Sequence, residues 1–431
     1  MSSIQAIRGT RDILPSESPL WVVIEGIARH ALFQSAYREI RTPIFEMTEL
    51  FARGIGEATD AVGKEMYSFE DRGGRSIALR PEITAGLVRA FIQNKLFAQG
   101  GVQRLWHIGP AFRYERPQAG RQRQFHQLDV EILGSRDARA DVEIIAIATQ
   151  ILTTLGLSAL SLDLNSVGSG EDRQNYRDAL IAYFTPYRLD LDTDSQDRLD
   201  RNPLRILDSK DKRTQEIVTD APSLLDFLSD DSKRHFDTVQ QHLTNIGIDF
   251  TINPRLVRGL DYYTHTAFEI QSSDLGAQAT VCGGGRYDGL VAQLGGPDTP
   301  AIGFGMGMER LVILLEQMAQ YSTEPLLDVY LISRGEKAEL QSVKLANQLR
   351  QDGYSVEVDL SGSAFGKQFK RADRSGAVLG LIIGDAEVDA QKVQLKWLGS
   401  GEQLEITQAE LVEKTDEIKS KIAEVRAQSA L

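Results

Sequence analysis

Apolar residues in the segment 17–38 recur at helical spacing. Leu20, Val23, Ile24, Ile27, Ala31 and Tyr37 share one broad face, which predicts a helix followed by an extended stretch at Pro43. From Met66 to Leu133 the period shortens toward two, in runs such as YSFED, SIALR, RLWHIGPAFRYE and FHQLDVEILG, and a mainly antiparallel sheet is expected. Nineteen residues from Ile144 to Leu162 carry no charge, close to membrane-spanning length. Thr149, Gln150, Thr153, Thr154 and Ser158 interrupt them and Gly156 reads as a helix stop, so the expectation is a buried helix followed by a strand. Residues 172–248 separate apolar clusters with dense mixed charge, as in LDLDTDSQDRLDRNPLRILDSKDKR, and read as a small helical insertion with solvated faces. Strand-like patterning returns between 250 and 310, and a helix begins at Glu309. After a linker at Met318–Pro325 the pattern alternates: LDVYLIS, a helix over 336–351, YSVEVDL, a helix near 365–374, AVLGLIIG, VQLKWL and a last helix over about 408–427. That alternation predicts a small α/β domain with a largely parallel sheet.

At 431 residues and roughly 150 per domain, the chain holds two or three domains. Its 61 acidic and 48 basic residues give a net charge of −13, which argues against a basic nucleic-acid coat or a membrane-surface protein. A polyanionic partner must therefore be met by local basic patches. One cysteine, Cys282, cannot form an intrachain disulfide, and six scattered histidines do not build a Cys/His zinc framework, which fits a reducing cytoplasm. The N-terminal MSSIQAIRGTRD has no apolar signal core.

The strongest local chemistry lies in RLWHIGPAFRYERPQAGRQRQFHQLDVEILG, two period-two segments joined by a loop with Pro117 and Gly120, which reads as a β-hairpin. On its second strand Phe125, Gln127, Asp129 and Glu131 share one face and His126, Leu128, Val130 and Ile132 the other, so the polar set must face a cavity or water. On the first, Arg113 and Glu115 share a face with the small Ala111. Arg113, Arg116, Arg121 and Arg123 with Glu115 give a local charge of +3, either an anion site or an exposed hairpin tip. In AIGFGMGMERL, Gly303, Gly305 and Gly307 alternate with apolar residues and bare one face of a strand, open to a flat ligand or to tight sheet packing. Its period belongs to a strand and not to a GxGxxG turn. Arg310 then opens the helix, where an anion is favoured both by its charge and by the helix dipole. RLVRGLDYYTHTAFEI sets Arg258 before an aromatic strand in which Tyr263 and Glu269 share a face, and CGGGRYDGL reads as a flexible glycine turn around Cys282 to Arg286. Glu82 and Thr84 sit in an extended stretch before a helix, where Thr84 reads locally as a cap.

Taken together, these runs make the sequence resemble the histidyl-tRNA synthetases, class II aminoacyl-tRNA synthetases, almost end to end. The resemblance rests on GTRDILP at 9–15, KEMYSFEDRGGRSIALRPE at 64–82, the FRYERPQAGRQRQFHQ hairpin (motif 2), LVRGLDYY at 256–263, GGGRYDGL at 283–290, the motif 3 strand ending in Glu309 and Arg310, and QFKRADRSGA near the C-terminus. LVRGLDYY and RYDGL mark the histidine enzymes, whereas motifs 2 and 3 mark only the class. Ile83 stands where many relatives have Gly, and Asp129 where a small residue is frequent.

The resemblance implies an α+β fold: a class II antiparallel-sheet catalytic domain over 1–322 with the helical insertion at 172–248, then an anticodon-binding α/β domain over 327–428. It implies ATP-dependent activation of L-histidine to histidyl-adenylate and transfer to the 3′ end of tRNA(His), in a cytoplasmic homodimer joined through the region around Pro43. It assigns Arg113 to the α-phosphate of ATP, Arg258 as a further cation there and Arg310 to the γ-phosphate, with Glu115, Phe125, Gly305 and Gly307 also at the nucleotide. Imidazole offers one donor and one acceptor, which Glu131 and Tyr263 match, with Tyr262 beside them; Glu82, Thr84 and Gln127 would hold the α-ammonium. Mg2+ would bridge the phosphates, its protein ligand unassigned among the acids of the motif 2 face. Arg116, Arg121 and Arg123 are implied for the tRNA acceptor end. Lys367, Lys370, Arg371 and Arg374, at i, i+3, i+4 and i+7, form a basic stripe that solubility alone would also explain but that the resemblance places at the anticodon.

Rival readings are a regulatory paralogue of the synthetases, such as the synthetase-like subunits of ATP phosphoribosyltransferase, which typically lack the tail domain and have eroded motifs, a sister class II synthetase, which LDYY and RYDGL oppose, and a pure RNA-binding module.

Overall fold

In the computed structural model, which describes residues 4–56, 59–207, 209–256, 260–278, 280–321 and 327–429, the first helix runs over Ser18–Gln34. It buries Leu20, Trp21, Ile24, Ala28, Ala31 and Leu32. It stops short of the predicted 38 because Ala36 adopts the left-handed region (φ 61°), which turns the chain into the short strand Arg38–Glu39. The charge-free stretch resolves into helix Ala138–Thr154 and strand Leu160–Ser166, with Gly156 at φ 87° ending the helix. Among the described residues, no helix is long and apolar enough to cross a membrane.

The chain divides into two compact units, Met1–Tyr321 and Ser322–Leu431. Among the described residues, the first is built on an eight-stranded sheet. Its spatial order is Arg38–Glu39, Gln103–Phe112, Gln124–Leu133, Ala301–Gly307, Thr280–Arg286, Thr264–Ser272, Leu160–Ser166 and Thr251–Ile252. The two outermost pairs are parallel and the rest antiparallel. Helices Ser18–Gln34, Ala138–Thr154 and Met308–Met318 pack with Leu128, Val130, Ile132, Ile302, Phe304 and Met306, the apolar half of the period-two pattern. The polar half is left to the other face.

Thr280–Arg286 is a strand and not the expected glycine turn. Its glycines answer to packing, since a Cβ on Gly284 would overlap the Gly303 carbonyl and lie 2.8 Å from the Phe268 ring. Helices Gly170–Phe184, Thr193–Arg201, Lys212–Thr219 and Asp230–Asn245 make up most of the mixed-charge region. Part of that charge caps them: the Asp192 carboxylate accepts from the Ser195 amide and from the Ser209 and Thr214 hydroxyls, and Asp211 accepts from the Thr214 amide.

In the second unit the strand order is Val356–Val358, Val329–Arg334, Leu379–Gly384, Lys392–Trp397 and Gln403–Thr407. The first three strands are parallel, but the last two pairings are antiparallel. The sheet is therefore less parallel than its alternation predicts. Only the short helix Asp385–Asp389 with Ala390 and Gln391 separates Leu379–Gly384 from Lys392–Trp397, too little for a parallel crossover. The expected last helix is two, Gln408–Glu413 and Thr415–Ser429, and the helix near 365–374 ends at Ala372. Residues 322–325 of the expected linker lie outside the described residues, and its first residue, Met318, still closes a helix.

Candidate active site

The polar face of the hairpin lines a cavity of about 570 Å³ together with the glycine strand. Strand register explains the glycines: Gly303 lies opposite Glu131, Gly305 opposite Asp129 and Gly307 opposite Gln127. A Cβ on Gly303 would overlap the Glu131 carboxylate, and one on Gly305 would lie 3.0 Å from Gln127 Nε2 and 3.4 Å from Asp129 Oδ1. At 303 and 305, then, the bare strand first of all makes room for its neighbour's polar side chains.

One end of the cavity is acidic and buried. Glu131 is 1% exposed and accepts hydrogen bonds from the Thr84 hydroxyl (2.7 Å) and the Tyr287 hydroxyl (2.6 Å). Burial outweighs both donors and pushes its carboxyl up to about 8. Glu82 accepts from the backbone amides of Thr84 (2.7 Å) and Ala85 (2.9 Å), so Glu82 caps helix Thr84–Gln93, while Thr84 turns its hydroxyl to Glu131. Burial again raises the Glu82 carboxyl. Asp129, also buried, is held well above the ordinary carboxylate range by burial and by Glu131 and Glu82. Tyr262 and Tyr263 line the same end, their rings 4.8 Å apart, with Tyr262 5.5 Å from the Tyr287 ring. Tyr287 was not among the residues expected at the site. Its only signal was its place in RYDGL, one residue beyond a strand that packs on Gly303.

The other end is basic and open. Arg113 donates from Nε to the Pro81 carbonyl (2.8 Å), and its guanidinium lies 5.4 Å from the Phe125 ring. Arg310 donates to the Thr280 and Gly120 carbonyls, and burial lowers its pKa, with Arg121 adding to the effect. Glu115 pairs with Arg121 (3.0 Å) and lies 4.0 Å from Arg113. Exposed Lys210 also lines this end. It was missed because it sits inside the charge run read as a solvated face. Arg116 is exposed, whereas Arg123 stacks 3.9 Å from the Tyr114 ring and donates its backbone N–H to Gly9, tying the GTRDILP segment to the hairpin loop. Arg258 lies outside the described residues.

In the second unit the four basic residues are not one helical stripe. Lys367 and Lys370 are exposed on Phe365–Ala372, Arg374 follows the helix, and Arg371 is bound to Asp359 (2.7 Å). That pair and the Ser361 donors hold the Asp359 carboxyl far below its usual range.

The sequence profile of the family described as Histidyl-tRNA synthetase matches residues 9–170 and 193–311, and that of the Anticodon binding domain matches 328–418. A relative named Histidine--tRNA ligase from Picosynechococcus sp. is 66% identical over 426 residues, 99% of this chain and 100% of the relative. Another of the same name from Synechocystis sp. is 67% identical over 423 residues, 98% of this chain and 94% of the relative. The crystal structure of apo S. aureus histidyl-tRNA synthetase superposes with a TM-score of 0.81 at 39% identity, covering 95% of this chain and 99% of that one. With its fold, its motif-bearing strands and its relatives in agreement along the whole length, the chain belongs to the histidyl-tRNA synthetase family.

Proposed function

We propose that this protein couples L-histidine to ATP, giving histidyl-adenylate and pyrophosphate, and then passes the histidyl group to the 3′ end of its cognate tRNA. The reading is supported above all by the charge gradient of a single cavity, with buried Glu82, Asp129 and Glu131 at one end and Arg113, Arg121, Arg310 and Lys210 at the other. Same-face residues on a strand are about 7 Å apart, so Glu131 to Phe125 spans about 20 Å, enough for an amino acid and a nucleotide in line.

The histidine carboxylate attacks the α-phosphorus, the bond to the bridging oxygen breaks, and pyrophosphate leaves. A terminal ribose hydroxyl of the tRNA then attacks the carbonyl carbon and AMP departs. This chemistry depends on positioning and on positive charge around the phosphate oxygens. Arg113 and Arg258 serve the α-phosphate and Arg310 the γ-phosphate. The adenine lies between Phe125 and the glycine strand at Gly305 and Gly307, with Glu115 beside it. Glu131 and Tyr263 read the two imidazole nitrogens with Tyr262 closing the pocket, and Thr84, Gln127 and Glu82 surround the α-ammonium. Leaving such buried groups unpaired is what rejects an apolar isostere.

Among the described residues, no three His, Cys, Asp or Glu side chains cluster to hold a metal. Mg2+ keeps its waters and is carried mainly by substrate phosphates, and Glu115 and Glu269, which line the cavity, are the carboxylates that would meet it. Bound there, it would neutralise phosphate charge. Arg116, Arg121 and Arg123 meet the acceptor end of tRNA. Lys367, Lys370 and Arg374 meet the anticodon, with Arg371 shared with Asp359. The domain limits are 1–322, with 172–248 inserted, and 327–428. Exposed Ile44, Phe45 and Met47 follow Pro43, exposed Phe69 lies on the same three-stranded sheet, and this is the region that a second copy covers in a cytoplasmic homodimer.

An ATP–pyrophosphate exchange assay across the twenty amino acids tests the reading. Exchange supported by histidine alone is expected; exchange with another amino acid, or with none, overturns it.

A further inference from the structure

Tyr263 is held both at its ring and at its backbone, by groups from elsewhere in the chain. The ring lies over bare Gly285, where a Cβ would stand 2.9 Å from Tyr263 Cδ1 and 3.1 Å from Cε1. The backbone is held from the entrance to the helical insertion. Arg173, in the first turn of helix Gly170–Phe184, donates from Nη1 to the Tyr263 carbonyl (2.8 Å) and to the Asp261 carbonyl (3.3 Å). Two residues beyond Tyr263, His265 adopts the left-handed region (φ 49°), a strained conformation for any residue but glycine. Its amide donates to the Gly168 carbonyl (2.8 Å) and its carbonyl accepts from the Val167 amide (2.6 Å), which fixes the strain in place. The register of Thr264–Ser272 against Thr280–Arg286 slips at the same point, between Gly285 and Arg286, and bulges of this kind re-aim side chains beside sites. Local energetics do not account for Arg173. A cation in the first turn opposes the helix dipole, and burial lowers its pKa against the pull of Asp261. What the guanidinium gains in return is the pair of charge-assisted bonds to the segment that carries Tyr262 and Tyr263.

Resting on the histidine reading above, we propose that Arg173 is a positioning residue for amino-acid recognition: from the first turn of the insertion it fixes the Tyr263 backbone, and so the place of the hydroxyl that meets the imidazole. Arg173 touches neither substrate. It acts through Tyr263, with bare Gly285 setting the ring from the other side, and the insertion thereby takes part in reading histidine.

The test is a double-mutant cycle on the full-length protein, read in histidine-dependent ATP–pyrophosphate exchange. Tyr263→Phe, which removes only the hydroxyl, should raise histidine KM about tenfold. Arg173→Met, which removes the donors, should raise it about 3- to 10-fold with ATP KM unchanged. Because both act through one hydroxyl, the double variant should be no worse than the worse single variant. Arg173→Lys, which still offers a donor, should recover part of the loss, and it carries the cycle if Arg173→Met fails to fold. Effects that multiply in the double variant, to about 30- to 100-fold, would make Arg173 a structural residue only and overturn the proposal. A histidine KM that Arg173→Met leaves unchanged, or histidine and ATP KM that rise together, would overturn it as well. An unchanged histidine KM in Tyr263→Phe would remove the imidazole role of Tyr263 and the proposal with it. A wild-type protein that shows no histidine-dependent exchange would sink the underlying reading instead, a result separable from the rest.

Discussion

The two ends of the cavity are built in opposite ways. At the acidic end the carboxyls are buried and raised: Glu131 is held by Thr84 and Tyr287 from distant parts of the chain, and Glu82 by the start of helix Thr84–Gln93, which follows it directly. At the basic end Arg121 and Lys210 are exposed, while Arg113 and Arg310 are half-buried and rest on backbone carbonyls. The difference teaches a division of labour. A preorganised buried end can discriminate one small side chain, because any mismatch leaves polar groups unpaired. An open cationic end attracts and aligns a polyphosphate whose charge stays partly solvated.

Breaking the basic end should cost most. Arg113→Ala is expected to lower kcat for exchange about 10²- to 10³-fold with histidine KM little changed, measured by steady-state exchange. Breaking the acidic end should act on binding. Glu131→Gln should weaken histidine about 10- to 100-fold, read as KM, and undiminished exchange would remove the imidazole assignment. The same residue links pH to stability. Its folded-state carboxyl, near 8, lies above the unfolded value of 4.5, so between those pH values the folded protein holds a proton that the unfolded chain has released. Stability of the ligand-free protein should therefore fall as pH rises through that window, by up to about 1.4 kcal/mol per unit, and Glu131→Gln should flatten this part of the urea-midpoint profile.

Glycine substitutions sharpen the contrast along one strand. Gly303→Ala forces a methyl onto the Glu131 carboxylate and should cost about 1–3 kcal/mol of stability or the equivalent in histidine affinity. Gly307→Ala, whose Cβ meets only Arg310 Cδ at 3.9 Å, should be tolerated in thermal melts. The smallest effect is expected in the second unit, where Lys367→Glu with Lys370→Glu should lower tRNA charging about tenfold and leave exchange unchanged. Equal loss of both activities would point to misfolding.

The hairpin's alternation of polar and apolar positions was readable because a strand exposes every second side chain to one environment, and Leu128, Val130 and Ile132 left Gln127, Asp129 and Glu131 nowhere to point but the cavity. The partners of those residues were not readable. Tyr287 reaches Glu131 across 156 positions of sequence, and Glu82 rather than Thr84 caps the helix because two hydroxyls converge on Glu131. Local propensity carries no trace of either arrangement. The same holds for the second unit, where strand and helix alternation was legible but strand direction depended on the few residues between Gly384 and Lys392.

The central claim is that one cavity orders its substrates by charge, and a crystal of the protein soaked with histidine and a non-hydrolysable ATP analogue tests it most directly. The imidazole should lie against Glu131 and Tyr263, with the triphosphate against Arg113 and Arg310. A nucleotide seated at the carboxyl end, or the two ligands in separate cavities, would contradict it.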